Sequence, residues 1–236
     1  MNFLVLQHLR IEPTAIIGDL IKDAGHNVDI VRMDKGESVP VALDGYDGMV
    51  VMGGPMSAND AHLPYIADEI ALLEKAIKAD FPVLGLCLGA QLLAKAGGAE
   101  IVPSPIRELG WHPVFHTKEA DTDPLFSGLK RTGLNVFQWH GETFTLPVDA
   151  ALLATHPAVP NQVFRIGLSQ YGLQFHIEVN EAIIESWIEA GVSECEELGE
   201  QGVALIRKES PELMPAAHGF CRDMIEAWLS IARKNS

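Results

Sequence analysis

A cysteine flanked by two glycines is the residue of this sequence best placed to do chemistry. Cys87 follows the apolar run 81–86, and a stretch of good helix formers begins directly after it. Gly85 and Gly89 stand two residues before and after it, which is the spacing of a nucleophile elbow, a sharp strand-to-helix turn with the nucleophile at its apex. Without Cβ atoms, the two glycines let the strand and the helix close on the turn. The pattern predicts a nucleophilic cysteine; the alternative interpretation is a small thiol buried at the end of a core strand.

A cysteine nucleophile needs a histidine within hydrogen-bond reach and a third group that orients the imidazole. Of the nine histidines, His176 is the best candidate, because it lies near the end of the predicted strand 172–177. Glu178 stands two residues further on, so a continued strand would place both side chains on the same side. The alternative is a partly buried structural histidine beside a surface glutamate.

A glycine pair offers the amides that an acyl-transfer site requires. Tetrahedral intermediates need two N–H donors near the developing oxyanion. The amide of Leu88, directly after the cysteine, is one natural donor, and the amide of Gly54 is our candidate for the second. Gly53 and Gly54 could equally form a tight turn, and they match neither a phosphate loop nor a dinucleotide-binding glycine pattern.

Alternating strands and helices must position these residues. Apolar runs and helical periodicity predict strands over 2–7, 27–32, 44–52 and 81–86, and helices over 14–24, 63–79 and 88–96. This order is typical of an α/β fold with a doubly wound, mostly parallel sheet flanked by helices. In such sheets the chemistry lies beyond the carboxyl ends of the strands, which is where Cys87 stands.

The second half changes character. Short β segments are predicted over 99–102, 110–117, 134–139, 151–155, 162–166 and 172–177, and they add a small antiparallel layer. Helices are predicted over 181–189 and 216–233, with Pro211 and Pro215 separating the last two helical pieces. We therefore expect one catalytic domain over 1–180 and a helical extension over 181–236 packed on it.

Composition excludes several function classes. A formal charge of −15 argues against nucleic acid and anionic membranes as partners. No apolar run approaches membrane-spanning length, and the N-terminus has neither a basic flank nor a cleavage site for a signal peptide. The three cysteines are widely spaced, which indicates a reducing, cytoplasmic location and no zinc cluster.

Three motifs together resemble the class I glutamine amidotransferases of the Cys-His-Glu type. They are Gly-Gly-Pro at 53–55, Gly-Leu-Cys-Leu-Gly-Ala-Gln at 85–91 and Gln-Phe-His-Ile-Glu at 174–178. The resemblance covers about residues 1–180 and is nearest to the glutaminase domain of GMP synthase. It implies a flavodoxin-like fold, a triad of Cys87, His176 and Glu178, and an oxyanion hole from the backbones of Gly54 and Leu88.

The resemblance also implies where substrate binds. The segment 137–142 is similar to a Ser-His-Gly-Asp stretch whose backbone holds the α-carboxylate and α-amino groups of glutamine. The substrate-binding residues implied in this way are Gly53, Gln91, Trp139, His140, Gly141 and Glu142. Trp139 and Glu142 replace the usual serine and aspartate, and Ile177 replaces a proline. A bulky Trp139 at the mouth of the pocket could favour a γ-glutamyl compound other than free glutamine.

The expected function is hydrolysis of the side-chain amide of glutamine, or of a γ-glutamyl relative, through a cysteine γ-glutamyl thioester. The resemblance implies no metal and no organic cofactor. Ammonia or an amine and glutamate would be released, and a separate synthetase subunit could accept the ammonia. The alternatives are a stand-alone γ-glutamyl peptide or amide hydrolase and a catalytically silent binding module, and the complete triad argues against the latter.

Overall fold

A computed structural model describes residues 1–235. Its strands and helices are, in chain order, β1 (Asn2–Gln7), α1 (Ala15–Asp23), β2 (Asn27–Arg32), β3 (Gly48–Val51), α2 (Pro64–Lys78), β4 (Val83–Leu86), α3 (Leu88–Ala96), β5 (Ile101–His116), β6 (Leu134–Phe144), β7 (Ala151–Thr155), β8 (Val163–Ile166), β9 (Gln170–Leu173), α4 (Glu181–Ala190) and α5 (Val192–Asn235).

The nine strands form one sheet in the order β2-β1-β3-β4-β9-β8-β7-β5-β6. The first five strands in that order are parallel, with Val5 opposite Val50, Val50 opposite Leu84 and Leu84 opposite Tyr171. All residues of β3 and β4 are buried, and all but Gly48 and Gly85 carry apolar side chains, because helices cover both faces of this half. The α/β fold class predicted from the sequence is confirmed, and the carboxyl ends of β1, β3, β4 and β9 meet at one edge.

Successive residues of β1 pack into two different hydrophobic cores, one on each face of the sheet. Phe3 and Val5 point to the face that is covered by α1 and α5 and is closed by Trp228. Leu4 and Leu6 point to the opposite face, which packs against α2 and α3. This alternation is the period of two that a strand buried on both faces must have.

The antiparallel half contains longer strands than the sequence predicted. The segments 99–102 and 110–117, predicted as separate strands, are joined in one strand, because β5 runs through Pro103 and Pro105 and pairs with β6. The register shifts between Pro103 and Glu108, and β5 meets its other neighbour, β7, only at Phe115 and His116. Prolines are tolerated here because the bulge and the unpaired edge require no N–H donor from them.

Two further boundaries differ from the prediction. The strand expected to reach Ile177 ends at Leu173, so His176 lies in the loop beyond β9. Pro211 and Pro215 do not divide the C-terminal helices; both lie inside α5, and the break falls at Gly199, whose φ is 65°. Each proline costs about 3 kcal/mol in a helix interior, and burial of Met224 and Trp228 on the same helix offsets that local cost.

No helix within residues 1–235 is long and apolar enough to cross a membrane.

Candidate active site

The turn between β4 and α3 has the geometry of a nucleophile elbow. Cys87 has φ 49° and ψ −106°, a conformation that non-glycine residues rarely adopt and that the surrounding structure must enforce. A Cβ at Gly85 would lie 2.6 Å from the carbonyl oxygen of Gly89, and a Cβ at Gly89 would overlap the carbonyl oxygen of Val51. Only glycine fits at either position, which is the physical reason for the spacing seen in the sequence.

The loop beyond β9 brings His176 and Glu178 together. Nδ1 of His176 lies 2.6 Å from Oε1 of Glu178, and both side chains are 2% exposed. Although β9 has ended, the backbone of His176 pairs with Phe137 of β6 through N–O distances of 2.8 and 3.1 Å. This isolated bridge holds His176 and brings β6 against the site.

Charge and hydrogen bonding both act on His176. Burial lowers its pKa, but Glu178 and a hydrogen bond with Cys87 outweigh burial, so the pKa of the imidazole lies well above its usual value. Cys87 is itself 6% exposed, and its backbone N–H donates to the carbonyl of Leu173 at 2.8 Å. The thiol, the imidazole and the carboxylate thus form one connected group at the carboxyl edge of the sheet.

Two backbone amides beside Cys87 are free to bind an anion. Within the described chain, neither the N–H of Gly54 nor that of Leu88 donates to another protein group. Leu88 is the first residue of α3, so its amide has no partner inside the helix. Its side chain approaches Gly54, where a Cβ would lie 2.9 Å from the leucine Cδ2. The two residues predicted to supply the oxyanion donors therefore lie next to each other.

A cavity of about 660 Å³ opens onto Cys87 and His176. Volumes of roughly 300–1,000 Å³ are usual for small-molecule sites. Of the residues expected to bind substrate, Gln91, Trp139, His140, Gly141 and Glu142 line this cavity. Gly53 is not part of the cavity wall; it lies behind Cys87, where a Cβ would be 3.6 Å from the cysteine Cβ.

The segment 139–142 is held from behind by buried polar groups. Nε2 of Gln91 donates to the carbonyl oxygen of Glu142 at 3.1 Å, and Nδ1 of His140 lies 3.0 Å from the same oxygen. Nε2 of His140 lies 3.1 Å from the buried carboxylate of Glu108. Because both ring nitrogens of His140 have partners, this histidine fixes the backbone of β6 and is not a second proton acceptor.

Several groups at the site escaped the sequence analysis. The helical extension supplies Trp187, which packs its ring on His176, and Glu194, which pairs with Arg107 at the cavity wall. Trp187 packs in the core and also lines the cavity. No motif marks these residues, because they reach the site through the packing of α4 and α5.

Glu12 was missed as well, although it lies beside the reacting groups. Its side chain is partly buried, lines the cavity and lies where a Cβ at Gly53 would overlap it. Burial raises the pKa of this carboxyl to about 6, while the nearby imidazoles of His176 and His8 lower it. A polar residue shortly after the end of β1, a strand whose carboxyl end faces the site, is the signal that could have found it.

No group of three or more side chains across residues 1–235 has the arrangement of a metal site.

Comparison with known proteins agrees with this geometry. The family model for class-I glutamine amidotransferases matches residues 14–186. The glutamine amidotransferase-like protein YfeJ of Salmonella typhimurium is 32% identical over 190 residues, which are 79% of this chain and 78% of that protein. A GMP synthase (glutamine-hydrolysing) of Porphyromonas gingivalis is 32% identical over 170 residues. Those residues are 71% of this chain but 31% of the synthase, so the similarity spans about a third of that enzyme.

A crystal structure of a glutamine amidotransferase from Thermotoga maritima superposes with a TM-score of 0.87 at 32% identity, over 97% of this chain and 98% of that one. The similarity therefore includes the helical extension as well as the residues that carry the motifs. The chain belongs to the class I glutamine amidotransferase family.

Proposed function

We propose that the protein hydrolyses the side-chain amide of glutamine or of a γ-glutamyl compound, with Cys87 as the nucleophile. The observation that carries this proposal is the connected group of Cys87, His176 and Glu178, whose first two members line a cavity together with Gly54. The unpaired amide of Leu88 directly follows the cysteine. A binding module would have no need of a strained cysteine, a paired imidazole and an anion-binding pair of amides at one point.

The proposed reaction has two halves. Cys87 sulfur attacks the amide carbon while His176 accepts the thiol proton, and the amides of Gly54 and Leu88 stabilise the oxyanion. The C–N bond then breaks, and His176 returns the proton to the leaving ammonia or amine. Water next attacks the γ-glutamyl thioester with His176 as the base, and glutamate leaves as the thiol is restored. Glu178 keeps Nδ1 of the imidazole paired, so that Nε2 faces the sulfur.

Substrate binding is assigned to the cavity wall. We propose that Gln91 and the backbone of residues 139–142 hold the γ-glutamyl group, with Gly53 behind the nucleophile. The catalytic domain is taken as residues 1–180, with 181–236 as a helical extension that closes the cavity through Trp187. Cys87, Cys195 and Cys221 are all unpaired, which supports a reducing, cytoplasmic location.

A stand-alone γ-glutamyl peptide or amide hydrolase is the second candidate. The size of the cavity and the presence of Trp139 on its wall favour it, because a larger leaving group would find room and an aromatic surface there. An ammonia-producing subunit for a separate synthetase remains the other form of the same chemistry, supported by the similarity to part of GMP synthase.

The test is product release by the isolated chain from glutamine and from a panel of γ-glutamyl amides and peptides, with Cys87→Ala as control. We expect glutamate to appear from at least one substrate and the activity to vanish in the variant. Trp139→Ser should raise the preference for glutamine over bulkier γ-glutamyl amides. Turnover that survives Cys87→Ala would overturn the mechanism. Absence of turnover on every substrate, with a thiol that iodoacetamide does not alkylate, would favour the silent binding module.

A further inference from the structure

A histidine and a glutamate are buried together directly behind the proposed oxyanion hole. His8 follows the end of β1, and Glu69 lies on α2 among the buried residues Ile66 and Leu73. Both side chains are fully buried. Nε2 of His8 lies 3.1 Å from each oxygen of Glu69, and Nδ1 lies 2.9 Å from the carbonyl oxygen of Gly53. A buried ion pair is a poor source of stability, so this pair calls for another explanation.

Only the imidazolium form of His8 satisfies both neighbours. A carbonyl oxygen and a carboxylate are both acceptors, so each ring nitrogen must carry a proton. Burial lowers the pKa of His8, but the charge and hydrogen bond of Glu69, the carbonyl of Gly53 and the charge of Glu12 outweigh it and raise that pKa. The ring of Tyr65 on α2 also faces His8, with centroids 6.3 Å apart.

The contact with Gly53 determines which way one peptide group points. The peptide unit between Gly53 and Gly54 is trans, so its C=O and N–H point in opposite directions. With the carbonyl on His8, the N–H of Gly54 points away from His8. A Cβ at Gly53 would lie 3.6 Å from the cysteine Cβ and 3.0 Å from Cε1 of His176, so this peptide borders the reacting groups. Glycine on both sides gives the peptide unusual freedom to rotate unless a partner holds it.

We propose that His8, itself held by Glu69, is a positioning residue that fixes the Gly53–Gly54 peptide with its N–H available to the oxyanion. The positive imidazolium also polarises the carbonyl, which strengthens the N–H of the same peptide unit as a donor. This inference deepens the proposed function and rests on it for its kinetic consequences. It makes the formation of the oxyanion hole depend on a buried pair that never touches substrate.

Kinetics of His8→Leu, His8→Asn and Glu69→Gln provide the first test, with Asp123→Asn as the matched control. Asp123 is a buried carboxylate paired with Arg165 on the antiparallel half of the sheet. Loss of one oxyanion donor lowers kcat by about 100-fold or more, so we expect His8→Leu to lose about 100-fold in kcat with little change in KM. The rate of alkylation of Cys87 by iodoacetamide should be unchanged, because alkylation forms no oxyanion.

The conservative variants separate positioning from simple support of the fold. The amide nitrogen of Asn can replace Nδ1 as a donor, so His8→Asn should recover most of the lost kcat. Glu69→Gln keeps an acceptor for Nε2 but removes the charge, so His8 should lose its proton at a lower pH and kcat should fall at a lower pH than in the wild type. Asp123→Asn should lower thermal stability without lowering kcat and without shifting the pH profile of kcat. Retention of kcat within threefold in a folded His8→Leu would overturn the proposal.

A crystal structure of each variant decides the point even if no substrate is turned over. In His8→Leu the Gly53 carbonyl should turn away from its wild-type direction or occupy two orientations, and in His8→Asn it should not. If the Gly53 carbonyl keeps its wild-type orientation in His8→Leu, the inference is wrong whatever the activity. If His8→Leu does not fold, a pH profile of kcat for Glu69→Gln that matches the wild type would also overturn the proposal. If the wild-type protein is inactive but the orientation of its Gly53–Gly54 peptide still depends on His8, the result counts against the proposed function and not against this inference.

Discussion

The indole of Trp187 meets the imidazole of His176 edge-on, with ring centroids 4.6 Å apart and 70° between the planes. Trp187 lies on α4, outside the three sequence motifs. Its Nε1 donates to the carbonyl of Ile11 at 2.8 Å, which ties the ring to the loop after β1. The helical extension therefore shields one side of the proposed base from water and sets the orientation of its ring.

Replacement of Trp187 should affect turnover beyond its effect on stability. Trp187→Leu and Trp228→Leu both truncate a buried indole and should each destabilise the fold by about 2–4 kcal/mol. Because Trp228 packs on Phe3 away from the cavity, only Trp187→Leu should also lower kcat, by about tenfold or about 1.4 kcal/mol of barrier. Thermal unfolding and steady-state kinetics on both variants check this. Equal loss of kcat in the two variants would argue against shielding.

Glu178→Gln should remove the partner that orients His176 and raises its pKa. The effects of positioned acid–base groups are typically 10²–10⁴-fold, so we expect kcat to fall by at least about 100-fold. Glu226→Gln, on an exposed part of α5, is the control and should leave kcat unaltered. An active Glu178→Gln enzyme would show that the carboxylate only supports the loop.

The same variant should change how stability depends on pH. Since Glu178 raises the pKa of His176 in the folded state, the pair stabilises the fold fully below the unfolded pKa of about 6.5 and loses that contribution as pH rises through the folded pKa. The stability gap between wild type and Glu178→Gln should therefore be widest near pH 6 and narrow toward alkaline pH. Urea unfolding at several pH values measures the gap; a gap that widens with pH has the wrong sign for this explanation.

Glu12→Gln should stabilise the protein at neutral pH. The pKa of Glu12 is raised from 4.5 to about 6, so the folded state holds a proton that the unfolded chain has already lost, and stability falls as pH rises through that window. Glu12→Gln has no carboxyl at this position, so its free energy of unfolding should lack this fall with pH. It should be more stable above pH 6 by about 1–2 kcal/mol, after allowance for partial exposure.

Glu74→Gln, exposed on α2, is the matched control for Glu12→Gln and should not change the unfolding free energy. Identical curves for wild type and Glu12→Gln between pH 5 and pH 8 would show that burial imposes no such penalty on Glu12.

Gly89→Ala should prevent closure of the elbow. The added methyl would overlap the carbonyl oxygen of Val51, which is backbone of a central strand and has no room to move. Overpacking of this kind costs about 3 kcal/mol or more, so little folded protein is expected. Gly128→Ala, at an open and exposed turn, should stay within about 0.5 kcal/mol of wild type. A stable Gly89→Ala variant would disprove the steric reason given for this glycine.

Local patterns carried most of the information about the fold. The elbow was predictable because Gly85, Cys87 and Gly89 interact within a single turn, and the alternation of strands and helices followed from hydrophobic periodicity. The errors arose where distant contacts outweigh local preference. β5 passes Pro103 because its edge needs no donor there, and α5 passes Pro211 because its apolar face is buried along the sheet. On α2 the charged Glu69 is buried, whereas Ile70 and Ile77 lie only partly buried.

The sequence by itself determined the type of chemistry, since the nucleophile, the histidine with its glutamate, and the glycine pair each lie in a short recognisable segment. Tertiary structure alone decided which groups surround them. His8, Glu12 and Trp187 leave no motif, because their positions follow from the order in which strand ends meet at one sheet edge and from the way α4 packs over it. A sequence pattern shows only which residues are neighbours along the chain. The electrostatic field and the shape of the cavity at Cys87 come from residues that are far from it in sequence.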